Sequence, residues 1–279
     1  MDLNYILRTK KFRTKKSLGQ NFLIDTNVIE FISNFARSED EILEIGPGLG
    51  FVTEQLVKRA KKVVAVELDR EAVSRLEKNL SSHSNFKLIQ GDILKTDINS
   101  LPFENEKIKV IANIPYYITS PILVHLLGEI DDINNKNRLR ISEIILMVQL
   151  EVAKRITASE NSQNKEYGQL SILSQMYSEP KIIKIVPKKS FMPSPKVDSA
   201  LVHFKITDKP KCEITRLLKR TIKAIFSSRR KNIKNSLQNA GFLEVEKALI
   251  NCKIDKNQRG EKLSLEDISK LSIALEEFN

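Results

Sequence analysis

Asn113, Pro115 and Tyr116 stand in the stretch VIANIPYYITS, residues 110–120. A run of strand-forming residues ends there in an amide, a rigid ring and an aromatic pair. An amino group on an aromatic base is a poor nucleophile, because its lone pair is delocalised into the ring. Two acceptors that hold its N–H groups favour a pyramidal nitrogen with a localised lone pair. The Asn113 side-chain oxygen is one candidate acceptor. The Ile114 carbonyl is the other, held outward because Pro115 fixes the chain. Tyr116 adds a flat face on which a base can stack, worth about 1–3 kcal/mol. Such a site works by positioning and preorganised acceptors and needs no general base if the electrophile carries a good leaving group.

A second constellation could hold that electrophile. EILEIGPGLG, residues 41–50, places Gly46, Gly48 and Gly50 between a strand and a helix. The spacing is G-x-G-x-G, not the G-x-G-x-x-G of dinucleotide binders, and it lets a ligand approach the backbone closely. Glu67, in VVAVELD, follows at the end of the next strand, where an acid accepts hydrogen bonds from ribose hydroxyls. Asp92, in IQGDIL, ends the third strand and could accept from an adenine amino group. Ordinary strand-end acids are the alternative. No Lys-Ser pair for phosphates follows the turn, which argues against NAD or ATP. S-adenosylmethionine has a ribose and an adenine without phosphates, and fits best.

These residues need elements to position them. The pattern predicts strands over 41–46, 62–68, 86–91, 108–113, 142–149, 181–186 and 199–206. Helical stretches over 51–60, 70–80, 120–130 and 150–157 alternate with them, the third with Ser120 as N-cap and Pro121 in first position. Such alternation predicts an α/β fold: an open, mostly parallel sheet with helices on both faces. Residues 131–140 read as a surface loop. Beyond about 208 no strand is convincing, and helical stretches cover 213–227, 229–240 and 264–277. The expected boundary is TDKPK, 207–211, giving a catalytic domain 1–208 and a helical domain 209–279.

The chain has 279 residues, 41% of them hydrophobic, and a formal net charge of +11 with a pI near 9.5. That balance points to a polyanion such as nucleic acid, or else to a merely basic soluble protein. No apolar run approaches the ~20 residues of a membrane span, and the N-terminus lacks a signal-peptide core. Cys212 and Cys252 make no disulfide framework, and His83, His125 and His203 lack ligand spacing. The expectation is a cytoplasmic protein without a metal. Arg8, Lys10, Lys11, Arg13, Lys15 and Lys16 crowd one stretch, expected to be disordered until it meets a polyanion. Arg229, Arg230, Lys231 and Lys234 are expected on one helix, with Arg230 and Lys234 on one face. Both clusters read as RNA-phosphate contacts, or alternatively as solvated charge.

Taken together, these motifs resemble the rRNA adenine N6,N6-dimethyltransferases of the KsgA/Erm superfamily, most nearly the KsgA-type (RsmA) small-subunit branch. The likeness runs in order through KKSLGQNFLID (15–25), EIGPGLGFVT, VVAVELD, GDIL, NIPYYITSPIL, FMPSPKVDSALV (191–202), FSSRRKNIKNSL (226–237) and RGEKLSLEDISKL (259–271). It implies a Rossmann-like class I methyltransferase sheet with a small all-helical C-terminal domain. It implies S-adenosylmethionine as cofactor, with Asn21, Leu23 and Gly46 at its methionine end, Glu67 on the ribose and Asp92 on the adenine. Asn113 would touch both cofactor and target amine, and Phe191 would face Tyr116 across the target base. Phe191 also precedes MPSP, whose prolines stiffen the chain and could hold an aromatic in place. The implied substrate is a pair of adjacent adenines in 16S rRNA within the immature 30S subunit, methylated by a monomer. The usual motif is Asn-Leu-Pro-Tyr-Asn, and Ile114 and Tyr117 stand at its variable positions here. An Erm-type enzyme acting on 23S rRNA, a non-catalytic RNA-binding assembly factor and a DNA adenine methylase are the competing readings.

Overall fold

The computed structural model describes residues 3–12, 14–15, 18–162, 166–227 and 230–278. In chain order the elements are α1 (Leu3–Lys10), β1 (Phe22–Leu23), α2 (Thr26–Ser33), β2 (Glu41–Ile45), α3 (Thr53–Leu56), β3 (Lys62–Glu67), α4 (Arg70–Leu80), β4 (Phe86–Gln90), β5 (Ile108–Asn113), α5 (Thr119–Leu127), α6 (Lys136–Arg140) and β6 (Ile141–Gln149). They continue with α7 (Leu150–Thr157), α8 (Gln169–Met176), β7 (Ser178–Val186), β8 (Phe191–Met192), β9 (Ser199–Ile206), α9 (Leu218–Phe226), α10 (Ile233–Asn239), α11 (Val245–Asn251) and α12 (Leu265–Glu276).

The fold is mixed α/β around a seven-stranded sheet in the order β4-β3-β2-β5-β6-β9-β7. Strands β4, β3, β2, β5 and β6 pair in parallel, and β9 runs antiparallel to β6. Parallel strands covered on both faces read as continuous apolar runs. β2 is buried at every residue, and β5 at all but its last. α4 presents Ala72, Val73, Leu76 and Leu80 to the interior, and the Asp69 side chain caps it by accepting from the Glu71 N–H. The carboxyl ends of β2, β3 and β5, with the turn after β4, come together at one edge.

Several elements differ from the sequence pattern. α3 is shorter than the expected stretch, because the glycine turn occupies residues up to Val52. α5 starts at Thr119 behind a tight turn at Tyr116–Ile118, so Ser120 lies inside it and Pro121 stays within the first turn. Pro costs no helical bond there, since the first N–H groups are unpaired in any helix. α6 lies in the stretch expected as a loop. α2, capped by Asp25, was not read from the pattern, and the two-residue strands of the β1–β8 ladder carry too few residues for a periodic signal.

The N-terminal arm is helical from Leu3 to Lys10, against the expectation of disorder. Its aromatic residues supply the reason. Tyr5 stacks on Phe51 at 4.2 Å, and Phe12 meets Phe22 edge-on at 5.4 Å. Arg8 donates to Glu54 at 2.7 Å and lies over the Phe51 ring. These partners offset the ordering entropy that charge alone would leave uncompensated.

The chain divides into two compact units, one of 1–126, 136–153 and 181–206, the other of 127–135, 154–180 and 207–279. The expected boundary at 207–211 marks one crossing, but the second unit also draws on two earlier segments. Within it, Tyr177 donates to the Ile130 carbonyl at 3.0 Å, and Tyr167 packs edge-on against Phe226. α12 opens with a capping box between Ser264 and Asp267.

Several buried strand residues break the apolar rule, Glu41, Glu44 and Lys109 among them. Glu44, in the middle of the β2–β3–β5 layer, is only 3% exposed. Burial, partly countered by Thr53 and reinforced by the charge of Glu67, pushes its carboxyl from the ordinary 4.5 to about 8. A raised folded-state value means that the folded chain favours the protonated acid. The stability this group contributes is therefore full below about pH 4.5 and drains as pH climbs to about 8. Glu44→Gln should flatten this loss, gaining over the parent on the order of 2–5 kcal/mol between pH 5 and pH 8. Urea unfolding of both proteins at the two pH values measures it, and an unchanged gap would show that Glu44 ionises normally.

Candidate active site

The glycine turn, the ends of β3 and β5 and the turn after β4 enclose one cavity. Gly46 and Gly48 have φ of +65° and +58°, which side chains with a Cβ rarely adopt. A Cβ on Gly46 would meet nothing within 4 Å, so open space lies above the turn. A Cβ on Gly48 would fall 2.9 Å from the Phe22 ring, so only glycine lets the turn pass so close to it. Of the residues expected to hold the cofactor, Asn21, Leu23, Gly46, Glu67, Asp92 and Asn113 all line this cavity.

Glu67 ends β3 and is 7% exposed. Its Oε2 accepts from the Gly48 N–H at 2.9 Å and its Oε1 from the Asp69 N–H at 2.8 Å. Burial pushes its carboxyl above the ordinary range, against the pull of those N–H groups. A carboxylate has about four acceptor sites, so capacity for ligand hydroxyls remains. Burial works to raise Asp69 too, but Lys15 and Gln20 hold it below the ordinary range. Asp92 accepts from the Leu94 N–H at 3.0 Å.

The charge of the lining is one-sided. Glu44, Glu67 and Asp92 are its ionisable carboxyls, and no Lys, Arg or His of the described residues joins them. Such a lining offers no cation to hold a phosphate, and its acids can pair with the positive charge of a ligand. Glu44 Oε2 is buried there without a hydrogen-bond partner. Sequence reasoning missed Glu44, although an acid between Leu43 and Ile45 in a buried strand is itself a signal. The open cradle at Gly46 and the acid-only lining fit S-adenosylmethionine, a sulfonium without phosphates. Among the described residues no group of three or more His, Cys, Asp or Glu is placed to hold a metal ion.

Asn113 closes β5, and its Nδ2 donates to the Asn21 carbonyl at 3.3 Å. Asn21 in turn donates from its own Nδ2 to the Gly19 carbonyl at 3.1 Å. The nitrogen end of Asn113 is thereby committed to the main chain, and its oxygen is the acceptor it can offer. Pro115 and Tyr116 follow along the same wall. The Tyr116 hydroxyl shares a 2.7 Å hydrogen bond with Ser199 Oγ, which fixes the ring, and burial raises its pKa. Ser199 was not foreseen, because only the antiparallel return of β9 brings it here.

Phe191 is placed differently from expectation. It pairs with Leu23 in the β1–β8 ladder, is 2% exposed, and packs in the core of the first unit rather than lining the cavity. The ladder turns its ring inward, and Ser190 reinforces it by donating to Asp25 at 2.8 Å and accepting from the Ile24 N–H at 2.9 Å.

The two basic clusters also rearrange. Lys15 Nζ lies 2.5 Å from Asp69 Oδ1, so it fastens the arm to the start of α4. Lys234 is paired with Glu246. Arg230 and Lys231 are exposed but precede α10, whose N-cap is Asn232, so Arg230 and Lys234 do not share a helical face. Lys16 and Arg229 lie outside the described residues.

With this geometry in place, likeness to known proteins can be weighed. A family model described as ribosomal RNA adenine dimethylase matches residues 11–277. A Shouchella clausii protein named ribosomal RNA small subunit methyltransferase A is 43% identical, over 98% of this chain and 93% of its own length. A crystal structure of a dimethyladenosine transferase from Plasmodium falciparum covers 90% of this chain and 95% of its own, with a TM-score of 0.70 and 26% identity. That of the 23S rRNA methyltransferase ErmE covers 92% and 100%, with a TM-score of 0.68 and 27% identity. No helix of the described residues is long and apolar enough to cross a membrane. The sulfonium-compatible cavity and the near-complete span of the family match lead to one conclusion: this chain belongs to the ribosomal RNA adenine dimethylase family, and it is an S-adenosylmethionine-dependent methyltransferase.

Proposed function

We propose that this enzyme methylates the N6 amines of two adjacent adenines in 16S rRNA, acting as a cytoplasmic monomer on the immature 30S subunit. The observation that carries the reading is the orientation of Asn113. Its nitrogen is held by the Asn21 carbonyl, so its oxygen is available to an amine N–H at the end of β5. The Ile114 carbonyl is the second acceptor, and Tyr116, fixed by Ser199, is the stacking face. S-adenosylmethionine supplies the electrophilic methyl group when bound. Glu67 is proposed to hold its ribose, Asp92 its adenine, and Asn21, Leu23 and Gly46 its methionine end. The chain's own part in the rate is to hold the amine with its lone pair localised and to exclude competing nucleophiles. Phe191 has no role in this proposal while it stays in the core. The small-subunit branch is favoured over the Erm branch by the 43% identity along nearly the whole chain, against 27% for ErmE.

Labelled methyl transfer to immature 30S particles, free 16S rRNA and free 23S rRNA, side by side, tests the assignment. Label appearing in 23S rRNA alone would move the enzyme to the Erm branch, and label in none would leave an assembly factor. Asn113→Ala should lower turnover by roughly 10²–10³-fold, the usual cost of one preorganised group, with RNA affinity nearly intact. Full turnover by that variant would remove Asn113 from the chemistry. Arg230 and Lys231 are proposed to touch phosphates. Replacing both by Ala should reduce the slope of log affinity against log salt by at most about 2, and an identical slope would make them solvated charge only.

A further inference from the structure

Two tyrosines follow Pro115, and they end in opposite situations. Tyr116 has its hydroxyl engaged by Ser199. Tyr117 is 61% exposed, the more so for a ring that also lines the cavity. Large aromatics left open to water forgo a substantial hydrophobic gain. An exposed ring at the mouth of a binding cavity is therefore a candidate contact surface.

The ring is also backed. A Cβ added to Gly19 would fall 3.3 Å from Tyr117 Cε1 and 3.4 Å from its Cδ1. Gly19 itself has φ of +57°, a conformation that side chains rarely adopt. The main chain at Gly19, just before the Gln-Asn-Phe-Leu segment, thus supports the ring from one side, and glycine is what allows so close an approach. The turn beneath is fixed as well. The Ile118 N–H donates to the Pro115 carbonyl at 3.2 Å, and Thr119 Oγ1 to the Tyr116 carbonyl at 3.0 Å. A supported ring with its outer side open is built as a platform.

The chemistry of the substrate supplies what such a platform would carry. An adenine amine is unreachable inside a stack, so the target base must leave it. Its departure strips one face of the neighbouring base of its stacking partner. We propose that Tyr117 forms a second stacking subsite, which receives the nucleotide adjacent to the target adenine and replaces the stacking lost when the target swings into the cavity. The subsite accepts any base, because stacking uses the π-face and not the hydrogen-bonding edge. It rests on the RNA reading of the function given above.

The test uses the full-length enzyme, its Tyr117→Ala and Tyr117→Phe variants, and immature 30S particles as the RNA probe. Equilibrium affinity is measured across a salt series, with cofactor uptake by calorimetry. Tyr117→Ala should weaken particle binding by about 5- to 150-fold, raising KM more than it lowers kcat. Tyr117→Phe should restore it, since the ring and not the hydroxyl is used. The salt slope should stay the same in all three proteins, because no phosphate contact is removed. Cofactor uptake should also be unchanged. Unaltered particle affinity in Tyr117→Ala, an equal loss in Tyr117→Phe, or weakened cofactor uptake would each overturn the subsite. Methyl transfer by the unsubstituted enzyme to the same particles is scored separately, so a failed substrate assignment is told apart from a failed subsite.

Discussion

The bond from the Gly48 N–H to Glu67 joins the glycine turn to the end of β3, and most of the site hangs from it. The other oxygen of Glu67 accepts from Asp69, the residue that caps α4. Asp69 in turn takes Lys15 and Gln20 from the segment before β1. The neighbour of Gln20 is Asn21, whose carbonyl holds Asn113. One polar chain therefore runs from the turn that would cradle the cofactor to the amide that would meet the base. Buried networks of this kind are rigid when each member is satisfied and costly when one is removed. The relative placement of the two reacting partners is set by this chain of contacts, not by any single residue.

The same network explains an apparent waste of charge. A cavity walled by Glu44, Glu67 and Asp92 without a basic residue takes acids out of water at a cost. The cost is visible in Glu44 and Glu67, both pushed toward the neutral acid by burial. A cationic ligand reverses the balance, because an opposite charge favours the ionised form. The lining is thus complementary to a sulfonium and offers nothing to a phosphate, which is how a cavity favours one class of nucleoside over phosphate-bearing ones.

Legibility in the sequence followed the length of the signal. The parallel strands and α4 could be read because their apolar runs are long and bounded by glycine or an acid. Gly46, Glu67, Asp92 and Asn113 were legible because each stands at or just past the carboxyl end of a strand, whereas Asn21 and Leu23 came only from the family resemblance. Phe191 was misplaced for the opposite reason. Its surroundings, a two-residue ladder with β1, are a long-range pairing that local pattern cannot show. Ser199 was invisible for a related cause, since it arrives from a distant strand, whereas Glu44, an acid set between apolar residues in β2, was a signal left unused. The arm was misread because its charges are dense, while the residues that order it, Tyr5 and Phe12, are sparse.

That last point bears on how a protein with a formal charge of +11 meets RNA. Charge counted along the sequence overstates the charge free to touch phosphate. Arg8 is bound to Glu54, Lys15 to Asp69, Lys219 to Asp131 and Lys234 to Glu246. Each such pair must be broken before its cation can release counterions from RNA, so it adds less to binding than an unpaired cation would. The positive field still draws a polyanion in over several ångströms, since pairing does not change the net charge. Close contact then has to rely more on shape and on rings that can receive unstacked bases. On the proposed reading, attraction at a distance would be carried by the whole surface, and recognition of the target base by the few side chains at the mouth of one cavity.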